Sequence, residues 1–425
     1  MADLRILTYA PTSQDALADS LGMPDYSYFF VLRQLEPMLA RYGQVTRLPD
    51  LEESLHEAVR EAEERGESPV AFLFLPPHKI PLDMPCRYVP VFAWEFSTIP
   101  TEEWGGDPRN DWRTTLAPAA GAITHSRYAL DATRAEGIQV PMVCAPAPVF
   151  DEFSPLATDV PPFTIGRGTA LHFHGRLYDS WQPDDGRTVQ RDQSVAIAGL
   201  VFTAVFSPSD GRKGWEDIVS AFADALGSRG DATLVLKLIG GSANSQADRV
   251  VDFVRRLIIP RARVVVMEGY LNDEDYHALV RATAYVVSAA KAEGQCLPLM
   301  EFMSAGTPAL APRHTAMLDY LTEDNAFVVA SHRIRHHWAH DPRLLLKAYA
   351  YEVSWQSLRE AYRAAHQEAM ESPGRYSRRS LAAQESLQQF CGPERVTGAL
   401  TELLQSAPEN EVDIRDGIVP TVHNP

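Results

Sequence analysis

The sequence predicts an α/β protein of two domains, each built on a mainly parallel sheet. Three observations carry this. At 425 residues the chain is too long for one ordinary core, and two domains of roughly 150 to 200 residues are expected. Short apolar, β-branched runs alternate with helix-period segments along most of its length, which is the pattern of parallel sheets covered by helices. One stretch, 285–312, YVVSAAKAEGQCLPLMEFMSAGTPALAP, reads as strand, loop, short helix, tight turn and strand.

In order from the N-terminus, 4–9 is an opening strand and 10–24 a long loop. A helix is expected over 25–42 with Asp25 as its cap. Residues 52–65 form a charged surface helix, and 70–75 and 88–94 are strands. After the latter comes Trp94-Glu95-Phe96-Ser97-Thr98-Ile99-Pro100, then Trp104 and Trp112. Ligands of open α/β sheets bind beyond the carboxyl ends of strands, so Glu95 and Thr98 are placed to meet one. A strand over 122–125 leads through Ser126 to a helix over 129–136. His125 and Tyr128 sit at that strand end. A strand over 141–147 closes this half, and 151–162 reads as a proline-bearing linker.

The second half opens with apolar segments 169–173 and 195–207, separated by a polar insertion or hairpin loop, 179–193. His172 and His174 alternate there without a third ligand, so no metal site is expected. SPSDGRKGW, 207–215, places Arg212 and Lys213 between a strand and a helix over 216–226. Strands 233–240 and 264–267 alternate with helices 245–257 and 273–282. His332, His336 and His340 at i, i+4, i+8 read as a solvated helix surface, since Arg333 and Arg335 interleave. Helices 355–370, 378–389 and 393–404 follow, and the acidic, proline-bearing tail after 407 is expected to be disordered.

The chemistry concentrates in 285–312. Pro298 suits a first helical position and Gly306 the residue that closes a helix. The backbone N–H groups of Gly294, Gln295, Cys296 and Leu297 therefore meet a helix N-terminus, a ready anion site. Glu293 and Glu301 bracket it. Carboxylates beside an anion site suit a ligand with both phosphate and hydroxyl groups, the chemistry of a nucleotide-sugar. Glu293-Gly294, Leu297-Pro298, Glu301 and Gly306-Thr307-Pro308 together resemble the donor motif of retaining glycosyltransferases of family 4, which have the GT-B fold. A plain βαβ unit with incidental acids is the alternative.

The resemblance implies two Rossmann-like domains facing across a cleft. The first covers 1–155 and is rejoined by the C-terminal helix at 393–406, the second covers 164–390, and 407–425 is a tail. It implies a nucleotide-diphosphate sugar donor, UDP- or GDP-linked, transfer to a hydroxyl with retention, and no required metal or further cofactor. Arg212 and Lys213 are implied to bind the diphosphate, Glu293 and residues 294–297 the sugar and diphosphate, and Glu301 the ribose. Tyr270 and Leu271 are implied at the base, and Glu95, Thr98, His125 and Tyr128 on the acceptor side. The acceptor is then a glycan, a lipid-linked molecule or a small molecule. Many members carry a Gly-Gly pair in the first loop, where this chain has Leu21-Gly22, and many space the arginine and lysine apart. A catalytically inactive homologue serving as a binding or activating subunit is therefore the rival reading. A dinucleotide-dependent oxidoreductase would need GxGxxG after the first strand, where the chain has APTSQD.

Bulk composition is that expected of a soluble globular protein. Acidic residues outnumber basic ones 56 to 39, for a formal charge of −17, which disfavours nucleic acid. No apolar run is long enough to span a bilayer, leaving peripheral membrane contact open. The four cysteines form no CxxC pair and the N-terminus shows no signal-peptide pattern, which suits a reduced, cytoplasmic location.

Overall fold

A computed structural model describes residues 3–12, 26–157, 168–182, 188–240 and 245–406. The expectations for Leu21-Gly22, the Asp25 cap and the tail lie outside them, as do 158–162 of the linker and 183–187 of the insertion.

The first unit contains β1 (Leu4–Tyr9), α1 (Tyr26–Leu39), β2 (Gln44–Arg47), α2 (Leu51–Glu64), β3 (Ser68–Phe74) and β4 (Arg87–Phe92). A one-turn helix α3 (Arg113–Leu116), β5 (Ala122–Thr124), α4 (Arg127–Ala135), β6 (Met142–Cys144) and a one-turn α5 (Phe150–Phe153) complete it. The strands order as β2-β1-β3-β4-β5-β6, and every neighbouring pair is parallel. Helix starts follow side-chain caps: Asp50 accepts from Glu53 N at 2.9 Å, and Ser126 Oγ from Ala129 N at 3.2 Å. Strand β2 has no apolar run to announce it; it is a polar edge strand held by pairing with β1 alone.

The second unit runs β7 (Thr169–Asp179), β8 (Arg191–Ile197), β9 (Leu200–Phe206), α6 (Trp215–Leu226), β10 (Ala232–Leu238), α7 (Ala247–Arg255), β11 (Arg263–Tyr270) and α8 (Asp273–Ala282). Then come β12 (Tyr285–Val287), α9 (Leu297–Ser304), β13 (Ala309–Pro312), β14 (Ala326–Val329), β15 (Ser331–His336) and β16 (Ala348–Val353). Helices α10 (Trp355–Glu371), α11 (Pro373–Cys391) and α12 (Pro393–Ser406) end the described chain. The main sheet orders β14-β13-β12-β9-β10-β11-β7-β8, parallel except where β7 pairs antiparallel with β11 and β8. Much of the polar 179–193 region is thus framed by a paired hairpin. The later part of β7 escapes an apolar-run reading because the strand alternates buried and exposed residues, as a strand with one wet face does.

The three spaced histidines are the clearest departure from expectation. Residues 331–353 form an antiparallel hairpin, β15 against β16, rather than a helix. It crosses to the first unit: Trp338 Nε1 donates to Thr98 O at 3.1 Å, Thr98 Oγ1 to Lys347 O at 3.0 Å, and Tyr349 N to Ser97 Oγ at 3.1 Å. His336 stacks on Phe96 and Trp338 on Trp104. At the far end α12 returns to the first unit, where Tyr42 Oη donates to Thr397 O at 3.1 Å. Gly121 sits under that helix, since a Cβ there would come within 2.7 Å of Leu403. One apolar cluster runs from Phe72 and Phe92 of the first sheet to Met267 of the second sheet and Met300 of α9. No helix among the described residues is long and apolar enough to cross a membrane.

Candidate active site

Between the two sheets, beyond the ends of β4, β9, β10, β11 and β12, lies a cavity of about 760 Å³. Its walls include Glu95, Arg212, Lys213, Tyr270, Leu271, Glu293 to Leu297 and Glu301. All but Glu301, which lies inside α9, stand in segments between a strand end and a helix start, the positions open α/β sheets use for ligands.

The 285–312 unit builds one wall. Strand β12 ends at Val287 and α9 begins at Leu297, with Pro298 in its first turn. Cys296 caps it in the left-handed region, φ 63°, and Gly306 closes the turn beyond it at φ 81°. Among the described residues no protein group accepts from the backbone N–H groups of 294–297, so they remain available to an anion. Gly294 is there because space demands it: a Cβ would lie 2.9 Å from Ala93 Cβ and 3.2 Å from Trp94 N of the first unit. Glu293 is held from behind, its N–H donating to Thr315 Oγ1 at 3.1 Å and its carbonyl accepting from Ala316 N at 3.2 Å. Thr315 adopts φ 49°, an uncommon state for a β-branched residue that marks a constrained loop.

The cationic loop forms the second wall. Gly214 adopts φ 57° and lies so near Ala289 O that a Cβ would come within 2.5 Å. That contact presses the loop onto the end of β12, bringing Lys213 Nζ to 2.7 Å from Glu293 Oε1. Arg212 binds Asp210 at 2.8 Å and reaches across the cleft to Glu95. Burial works against both charges, but Glu95, Asp210 and Glu293 outweigh it, and the pKa values of Arg212 and Lys213 rise. Burial raises Glu95, with Arg212 opposing it. Two protonated cations thus face three acidic side chains along the wall of one cavity.

Glu301 stands one turn into α9 and accepts from the Tyr276 hydroxyl. Burial pushes its pKa up to about 7, with Tyr276 and Arg33 pulling the other way and Glu152 adding to the rise. A carboxylate held so poorly solvated is poised to gain hydroxyl donors.

Not every expected residue reaches the cavity. Thr98 is bound into the hairpin contact described above, His125 is fully buried, and Tyr128 is half-buried against the Ser97 loop. His125 Nδ1 pairs with Ala145 O at 2.9 Å, and burial lowers its pKa to about 4. Conversely the walls include residues that sequence reasoning did not assign to the site: Asp210, Lys237, Tyr276 and His340, the last read there as solvated surface. Asp210 stands two residues before Arg212, a legible signal. The others come together only in three dimensions, His340 by stacking on His78 at 4.4 Å. Among the described residues no group of three or more His, Cys, Asp or Glu could hold a metal ion.

Residues 198–347 match the family model described as Glycosyl transferases group 1. No curated protein matches the chain by sequence. Among solved structures it resembles Anabaena Alr3699/HepE in complex with UDP, at 12% identity and TM-score 0.57 over 95% of this chain and 100% of that one. A glycosyltransferase from Rickettsia africae ESF-5 gives 9% identity and TM-score 0.58 over 97% and 100%. Sucrose-phosphate synthase from Thermosynechococcus elongatus gives 14% and 0.56 over 95% and 98%. The fold is therefore that of GT-B glycosyltransferases, two Rossmann-like domains facing across a cleft, and the match to the group 1 model falls within its second unit.

Proposed function

We propose that the protein is a retaining glycosyltransferase of the family 4 type, moving a sugar from a nucleoside-diphosphate sugar to an acceptor hydroxyl. The observation that carries this reading is the joining of Lys213 and Glu293 at 2.7 Å beside the open N–H groups of 294–297. One cluster then offers cations for a diphosphate, a carboxylate for a sugar, and a helix end between them. Charge grows on the diphosphate as the glycosidic bond breaks, and Arg212 and Lys213 are aimed to meet it. The acceptor oxygen attacks from the same face, bonding to the sugar carbon as its proton passes to the departing phosphate oxygen. Glu293 steadies the positively charged sugar between the two events. The two arms Arg212 and Lys213 carry the charge that a metal carries elsewhere, and no metal is assigned a role.

Within this reading the second domain, 164–390, is the donor domain, and the first, 1–155, faces the acceptor. Tyr270 and Leu271 take the base, and Glu301 the ribose hydroxyls. Of the acceptor-side candidates, Glu95 is the one that lines the cavity. The UDP held by the Anabaena structure makes uridine donors the first to test, with guanosine donors next. Thermal melting with UDP, GDP, ADP, CMP and dTDP sugars is the test, since a ligand bound only by the folded state raises Tm. A rise with a UDP or GDP sugar is expected. No rise with any of them would overturn the reading.

Glu301 supplies a second check, through pH. Its raised pKa means that the fold favours the protonated form. The ionisation penalty is absent below pH 4.5 and complete above about 7. Glu301→Gln should therefore stabilise the empty protein at pH 8, by on the order of 2 kcal/mol, and leave it nearly unchanged at pH 4. The same change should weaken nucleotide binding about 10-fold, because an amide oxygen is the poorer acceptor. Melting curves at both pH values with calorimetric titration read the two effects.

A further inference from the structure

We propose that Lys237 reads the nucleotide base, selecting donors whose base presents a carbonyl oxygen, uracil or guanine, over adenine. The inference rests on the nucleotide-sugar reading and adds to it a residue and a selectivity.

Strand β10 has the sequence ATLVLKL, so Lys237 is its one charge among apolar neighbours, and it is 6% exposed. Burying a lone ammonium costs several kcal/mol unless partners repay it. Its Nζ donates to Leu238 O at 2.9 Å and Gly269 O at 2.7 Å. An ammonium has three N–H groups. Among the described residues nothing accepts from the third. No carboxylate stands within ion-pair distance of it there either; Glu268, the nearby acid, is engaged by Ser245 and by Gln246 N at 3.2 Å. Burial accordingly pulls the Lys237 pKa down to about 8, with Glu268 opposing.

The remaining donor belongs to a side chain that lines the cavity, together with Ile239, Gly269, Tyr270 and Leu271. Sheet order places it apart from the diphosphate cations. Arg212 and Lys213 follow β9 and rest against β12, whereas Lys237 joins β10 to β11, on the side from which Tyr270 and Leu271 emerge. Lysine is a donor only. It bonds a ring carbonyl and has nothing to offer the amino group that adenine carries instead.

Calorimetric titration of UDP, GDP and ADP into the full-length protein and its Lys237→Met variant tests this. The wild type should bind UDP or GDP at least about 10-fold tighter than ADP, the size of one charged hydrogen bond. Lys237→Met should bring that preference to within about 3-fold by weakening the carbonyl-bearing nucleotide and not ADP. An equal loss for all three would assign Lys237 to phosphate or to the fold, and an unchanged preference would leave it without a ligand role; either overturns the inference alone. Failure of all three to bind the wild type would instead overturn the nucleotide reading beneath it. If the methionine variant melts below the assay temperature, Lys237→Gln keeps a donor for the two carbonyls and can also accept. It should shift the preference towards ADP, and an unshifted preference would refute the inference.

Discussion

Replacing Lys213 by methionine is expected to slow sugar transfer about 10³-fold or more, the scale on which preorganised charges act on a departing phosphate. The donor should still bind through Arg212 and the open N–H groups, so the loss falls mainly on kcat. One complication is built into the site. Glu293 is 8% exposed and ion-paired to Lys213, so the single change also strands a buried carboxylate, worth about 3–5 kcal/mol of stability. Lys213→Met with Glu293→Gln removes both charges and should melt near the wild-type temperature while remaining inactive. Recovery of Tm without recovery of turnover separates the chemical role of Lys213 from its structural one. Equal activity in Lys213→Met and wild type would remove the lysine from the reaction.

Gly294→Val should cost about 10²-fold in kcat with little change in Tm. The Cβ would meet Ala93 Cβ at 2.9 Å and Trp94 N at 3.2 Å, backbone-anchored atoms of the facing unit that can yield only if the cleft widens. Opening by an ångström separates Glu95 from Arg212 and moves the acceptor wall off the donor wall, and misplacement of that size has the stated cost. Glycine is needed there for space and not for its backbone angles, since its φ is not positive. Steady-state kinetics with small-angle scattering checks this: a slower enzyme with a larger radius of gyration is expected. Unchanged kcat would mean that the cleft works in a more open form.

What the sequence made legible was local. The 285–312 unit shows its strand, its helix start at Pro298 and its turn at Gly306 because proline and glycine punctuate the chain by their own stereochemistry. Arg212 and Lys213 stand out because they occupy a strand-to-helix loop. The hairpin at 331–353 was illegible for a plain reason. A spacing of four residues fits a helix turn, but it is also an even number, so His332 and His336 share a face of a strand equally well. Lys237 was hidden because a single charge in an apolar run carries no period, and its partner Gly269 arrives from a neighbouring strand. The bond from Arg212 to Glu95 spans the two units, and only their assembly creates it. The strand ends at 92 and 124 placed Thr98, His125 and Tyr128 near a ligand in principle. The hairpin takes Thr98, and the core takes His125.

Release of nucleoside diphosphate from UDP and GDP sugars, by wild type and by Lys213→Met at saturating donor, decides whether this cleft is a transferase. Turnover by the wild type, with the variant at least about 10³-fold slower while still binding the donor, is the expected result. A wild type that binds a donor and releases no diphosphate in the presence of hydroxyl acceptors, or a variant as fast as the wild type, would contradict it.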